Sequence, residues 1–187
     1  MKKLALFAIF ATAAVQSQAA LIPYDLIGTA GAGLLFGNET GVLSGGTGGE
    51  VGAGIFLDNA TNLLTVNVGW GSSQGFTNLS SSLTASHIHG PTASNNGSGF
   101  TQTAAILSTL TPSSTAITGG TFTTPPISLT AAQVTDLNNG KFYINIHTAN
   151  NGGGELRGFI VPVPEPASAM LASCGAMALL ARRNRRK

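Results

Sequence analysis

The stretch TNLLTVNVGW, residues 61–70, decides the fold. Leu64, Val66, Val68 and Trp70 fall on one side of an extended chain, and Thr65, Asn67 and Gly69 on the other. Successive side chains of a strand point to opposite faces, so this period of two marks a half-buried strand with its apolar face inward. KFYINIHT (141–148) repeats the pattern, with Phe142, Ile144 and Ile146 opposite Tyr143, Asn145 and His147. ELRGFIV (155–161) reads as a closing strand, and GFTQTAAILS (99–108) as a strand with mixed faces, covered on both sides. Gly-rich segments at 45–54, 71–75, 97–99, 119–120 and 152–154 read as turns between these runs. One short helix is expected. Thr130 caps AAQVTDL (131–137), which ends at Asn139-Gly140. Strand spacing and order predict an all-β domain, an antiparallel Greek-key sandwich or barrel with one short helix.

The ends of the chain differ from this body. Lys2 and Lys3 precede an apolar run from Leu4 to Val15, and Ser17 and Ala19 are small residues suited to a cut before Ala20. That is the pattern of a secretory signal peptide, residues 1–19. At the other end, residues 162–187, Pro164, Glu165 and Pro166 make a rigid extended break. Ala167 to Ala181 follows without a charge, and Arg182, Arg183, Arg185, Arg186 and Lys187 end the chain. As a helix that apolar run reaches about 22 Å, short of the ~30 Å hydrocarbon core, which suits a temporary stop in the membrane. The basic cluster orients it with its end in the cytoplasm. The arrangement resembles the PEP-CTERM sorting signal of exported bacterial proteins. The resemblance implies processing near Pro164–Pro166 by an exosortase-type enzyme. It also implies a destination in the cell envelope, outer surface or extracellular matrix, with inner-membrane anchoring only through this segment. Unprocessed tail anchoring is the alternative.

Seven of the nine basic residues lie in these two ends. The body between them, residues 20–161, keeps only Lys141 and Arg157 against Asp25, Glu39, Glu50, Asp58, Asp136 and Glu155. A mildly acidic body argues against nucleic acid and against anionic lipid as partners. The single cysteine, Cys174, lies in the tail segment, so the body is expected to be stabilised by its core and not by disulfides.

The three histidines carry the chemistry the sequence offers. His87 and His89 are two apart in SHIHGP, hence on one face of a strand, and His147 ends a later strand. A His-x-His pair plus a distant third histidine is a workable set for zinc or copper, if the two strands are neighbours. The alternative is structural: the rings bond Asn145, Glu155 or backbone and lock strands together. No serine sits in a nucleophile elbow and no carboxylate pair stands out, so no enzyme is expected, and no cofactor beyond such a metal. Glu155 and Arg157 share a face, as a polar ligand contact or as an exposed pair or cross-strand partner of His147. Trp70 belongs with the core. Phe76, in a Ser/Asn-rich loop, is the better aromatic for a surface contact.

SLTASHIHGPTASNNG (82–97) and LTAAQVTDLNNGKFYINIHTANNGGGELRGFI (129–160) together resemble the CHRD domain, over residues 24–161. The shared pieces are the HIHGP block, the short helix before Asn-Gly, the Tyr-x-Asn-x-His-Thr strand and Gly-Glu-Leu-Arg-Gly. The resemblance implies a β-sandwich or barrel module, with extracellular binding as its context in the animal protein. A structural or adhesive matrix protein associated with exopolysaccharide or other envelope proteins is therefore expected. The alternative is a metal-binding protein or a metal-dependent enzyme. For the latter, the HIH pair is similar to the copper-binding strand of Cu/Zn superoxide dismutases, which are also Greek-key barrels. This chain departs from that family in having no fourth histidine, no disulfide and no Asp-plus-His zinc loop before His147.

Overall fold

Alternation of apolar and polar residues builds the sheet strand by strand in the computed structural model, which describes residues 20–28, 30–37, 44–93 and 100–164. The strands are β1 (Leu21–Gly28), β2 (Gly31–Ala32), β3 (Leu34–Leu35), β4 (Thr47–Asp58), β5 (Leu63–Trp70), β6 (Leu83–His89), β7 (Ile106–Thr109), β8 (Gly120–Thr123), β9 (Ile127–Ser128), β10 (Phe142–Thr148) and β11 (Leu156–Pro162). A single α-helix, α1 (Ala131–Asn138), lies between β9 and β10. Every strand pairing among the described residues is antiparallel.

Through the longer strands the ladder runs β8–β5–β4–β1–β11–β10–β6–β7. It returns to its start past the end of β7. Leu110 N–H donates to Ser86 O, Pro112 bridges Phe122, and Ser113 N–H donates to Thr121 O on β8. The connections from β5 to β6 and from β9 to β10 cross over neighbouring strands, as Greek-key connections do. The all-β expectation holds.

Inside the closed sheet lie Leu64, Val66, Val68 and Trp70 of β5, all fully buried, with Ile88, Phe122, Phe142, Ile144 and Ile146. Trp70 packs on Phe122 with ring centroids 4.7 Å apart and donates its indole N–H to Ala116 O. Thr65 and Asn67, on the other face of β5, are half-buried. α1 begins as its sequence predicts. Thr130 Oγ1 accepts from Gln133 N–H, Gln133 Oε1 accepts from Thr130 N–H, and Gly140 follows the helix with φ +65°. Leu137 is the buried residue of the helix, and Tyr24 Oη ties Asn138 to β1 with a 2.5 Å hydrogen bond.

Two expectations need correction. The Gly-rich segment 45–54 is not a turn, because β4 runs through most of it. Gly48 lies so close to β5 that a Cβ there would stand 2.4 Å from Gly69 O, and Gly52 and Gly54 take positive φ where the register slips between Glu50 and Ile55. Glycine here serves backbone approach and a bulge, not chain reversal. Nor is 99–108 one strand, since only Ile106–Thr109 pairs. The residues before it are drawn into bonds with side chains of β6, β10 and β11. Residues 97–99, the signal segment 1–19, Glu165, Pro166 and the basic cluster Arg182, Arg183, Arg185, Arg186 and Lys187 lie outside the described residues. Pro164 is exposed just beyond β11.

Candidate metal centre

β6 and β10 are neighbours, the condition the histidine set requires. His89 pairs with Tyr143 and His87 with Asn145, and His147 lies opposite Ala85, one step further along the ladder. Ser86 and Ile88 take the buried inner positions of β6, so His87 and His89 stand on the outer face. There the three half-buried rings converge, with one nitrogen from each within 4.8 Å of the others. His87 Nδ1 is 3.2 Å from His147 Nε2. Nitrogens bound to one tetrahedral ion at 2.0–2.1 Å stand about 3.3–3.4 Å apart, so the closest pair already has that spacing.

Backbone carbonyls set the tautomers. His89 Nδ1 is 2.9 Å from Ala104 O, and His147 Nδ1 is 2.9 Å from Gly152 O. A carbonyl only accepts, so each Nδ1 carries the hydrogen and each Nε2 is left with a lone pair. Metal-bound histidines are oriented in this manner, with the far ring N–H held by a carbonyl or carboxylate. His147 Nε2 accepts from His87 Nδ1, and a bound ion would replace that hydrogen bond. His89 Nε2 is buried and has no hydrogen-bond partner among the described residues.

Two of the rings are also biased toward the neutral form. Burial lowers the pKa of His87, and the nearby charges of His147 and His89 lower it further. Burial likewise lowers that of His89; the Ala104 carbonyl works against this, while His147 and Arg157 add to it. Neutral imidazole is the form that binds a metal ion.

Behind the histidines lies a second packed layer. The Tyr143 ring stacks on His89 with centroids 4.9 Å apart and planes 3° from parallel, and the Arg157 guanidinium lies over the Tyr143 ring at 3.6 Å. Residues 100–104 strap this layer down. Ala104 N–H donates to Tyr143 Oη, Arg157 Nη2 donates to Gln102 O, and Phe100 meets Phe159 edge to face. Ala104 thus holds Tyr143 through its N–H and His89 through its carbonyl.

Glu155 and Arg157 are not an exposed pair. Glu155 is 0% and Arg157 1% exposed. Glu155 gathers three loops, with Oε1 accepting from Gly46 N–H and Ser80 N–H, and Oε2 from Ser80 Oγ, Thr148 Oγ1 and Asn151 Nδ2. Phe76 is half-buried and lines a groove of about 340 Å³ with Gly33, Gly48, Gly49 and Glu50, which includes none of the histidines. The alternation of β10 pointed to Tyr143 as a neighbour of His147, but nothing in the sequence marked the Ala104 and Gly152 carbonyls.

Residues 35–160 match the family model of the CHRD domain. The chain belongs to the CHRD domain family. The match takes in the whole histidine set, the 100–104 strap and Glu155, and stops short of β1, whose pairing with β4 and β11 the sheet requires. No curated protein and no solved structure matches the chain. No helix among the described residues of this CHRD protein is long and apolar enough to cross a membrane.

Proposed function

We propose that this protein is an exported CHRD β-domain of the cell envelope or extracellular matrix that holds a zinc or copper ion on His87, His89 and His147. The observation that carries the metal reading is the convergence of three imidazoles, two of them anchored through Nδ1 by backbone carbonyls. Nitrogen-only donors suit zinc and copper and do not suit magnesium or calcium. Export, processing by an exosortase-type enzyme and a structural or adhesive place among exopolysaccharide rest on the two terminal segments and on the family. The family is consistent with an extracellular or structural role.

Metal analysis of the purified chain and of the His87→Ala/His89→Ala/His147→Ala variant tests the reading. The expected result is one ion per chain in the first and none in the second. An ion at a hundred times its dissociation constant stabilises the fold by about 2.7 kcal/mol, so chelator should lower the Tm of the first alone. Equal metal content, or a Tm unmoved by chelator and by added zinc or copper, would leave the histidines a purely structural role.

A further inference from the structure

Resting on the metal reading above, we infer that the loaded centre takes an exogenous carboxylate as its next ligand, which makes it a metal-mediated point of attachment for a carboxylate-bearing molecule.

The argument begins with charge. The donor set is three imidazoles, and among the described residues no Asp, Glu or Cys joins the cluster. Carboxylates elsewhere in the body have other partners. Glu155 is held by Gly46, Ser80 and Thr148, Asp136 by Lys141 at 3.0 Å, Asp58 by Ala60 N–H, and Glu50 by Leu26 N–H. A divalent ion on three neutral nitrogens keeps its full double charge. Metal sites that bring their own carboxylate or thiolate discharge part of it within the protein.

The open coordination position comes next. Zinc commonly takes four ligands, and a three-histidine set leaves one place for water or another oxygen donor. The set stands on the outer face of β6 and β10, with His87 and His147 half-exposed. His89 is anchored deepest, its Nε2 buried and its ring pressed on Tyr143. The wall on the Tyr143 side is closed, so the vacant direction is outward, where a ligand carried by another molecule can enter. A carboxylate supplies the missing negative charge and an oxygen donor that binds zinc at about 2.0–2.2 Å. The step is ligand exchange: a metal–water bond breaks, a metal–carboxylate bond forms, and no electron changes hands.

Copper(II) spectroscopy tests this on the full chain. The copper-loaded protein is titrated with acetate, glucuronate or glucose while the visible band and the electron paramagnetic resonance spectrum are recorded. Acetate should shift both saturably, and glucose should not. A matching response to glucuronate shows that the carboxylate can ride on a sugar ring; acetate alone supports the inference for small free carboxylates. A copper spectrum with nitrogen hyperfine structure that ignores acetate overturns the inference and leaves the metal reading standing. Failure to bind copper or zinc at the three histidines overturns both. The His147→Ala variant guards against copper bound elsewhere, since an identical acetate response there also refutes the assignment.

Discussion

Replacing Glu155 by alanine should be among the most damaging single changes in the body, and its magnitude follows from the donors left behind. The carboxylate is fully buried and accepts from Gly46 N–H at 2.8 Å and Ser80 N–H at 2.7 Å on one oxygen. The other oxygen accepts from Ser80 Oγ at 2.6 Å and Thr148 Oγ1 at 2.8 Å. The hydroxyls can rotate to other acceptors, and each already accepts from Asn151 Nδ2. The two backbone N–H groups cannot turn, and a buried donor without a partner costs about 1–3 kcal/mol. With the lost side-chain contacts, Glu155→Ala should destabilise by about 3–5 kcal/mol, a large share of the 5–15 kcal/mol typical of a domain. Glu155→Gln keeps an oxygen for both N–H groups while its amide meets hydroxyls that can accept, so about 1–2 kcal/mol is expected. Urea denaturation at neutral pH measures both. The pH dependence adds a second check. Burial alone would raise the Glu155 pKa, but bonds from the Ser80 hydroxyl, the Gly46 and Ser80 N–H groups and the Thr148 hydroxyl together hold it below the ordinary carboxylate value. A depressed native pKa stabilises above the unfolded value of about 4.3, and that stability is lost as pH falls through the native value. Glu155→Gln should therefore flatten the acid limb of the stability profile. An alanine variant within 1 kcal/mol of the parent, or a glutamine variant as unstable as alanine, would refute the backbone-donor reasoning.

Three further outcomes are expected. Val66→Asp, on the fully buried face of β5, should cost several kcal/mol, while Thr65→Asp on the half-buried outer face should be mild; like denaturation curves for the two would overturn the face assignment. Tyr143→Phe removes only the hydroxyl that accepts from Ala104 N–H, so metal affinity should fall about tenfold as the strap loosens its hold on His89, with stability changed by only about 1 kcal/mol; calorimetric titration with zinc checks the first and a melt the second. Intact-mass spectrometry of the envelope fraction should find a chain that begins near Ala20 and ends near Pro164–Pro166, and a mature species retaining Cys174 would contradict tail processing.

Most of the sheet was legible because period-two alternation is a local signal. Leu64, Val66, Val68 and Trp70 announce their face without help from the rest of the chain, and Thr130 with Gln133 announces a helix start. Gly48, Gly52 and Gly54 misled, because a missing side chain fits a turn, a bulge or a close crossing equally well, and only the position of β5 decides. Segment 99–108 misled for a related reason. Its alternation is strand-like, but the Ala104 and Gln102 carbonyls are taken by the side chains of His89 and Arg157. Glu155 and Arg157 looked like surface charges because charged residues two apart on a strand usually are. Only the meeting of loops 44–46, 79–81 and 148–151 supplies enough donors to bury a carboxylate.

The same tertiary pattern bears on what the histidines are for. β10 is buried on both faces, an unusual demand on a strand whose outer face reads Tyr-x-Asn-x-His. The inner face is satisfied by the barrel core. The outer face is covered by the strap, by Arg157 and by Phe159, which together form a small second core beneath one edge of the histidine cluster. A purely structural histidine would best use both ring nitrogens in such a layer. His89 uses one on Ala104 and leaves the other buried without a partner among the described residues, a loss of about 1–3 kcal/mol that a structural role does not explain. His147 repeats the arrangement, with one nitrogen on Gly152 O and its lone pair turned to His87. Two anchored rings whose remaining lone pairs lie beside a third imidazole are the arrangement the proposed ion requires, and the strap that anchors His89 and Tyr143 covers that side of the set.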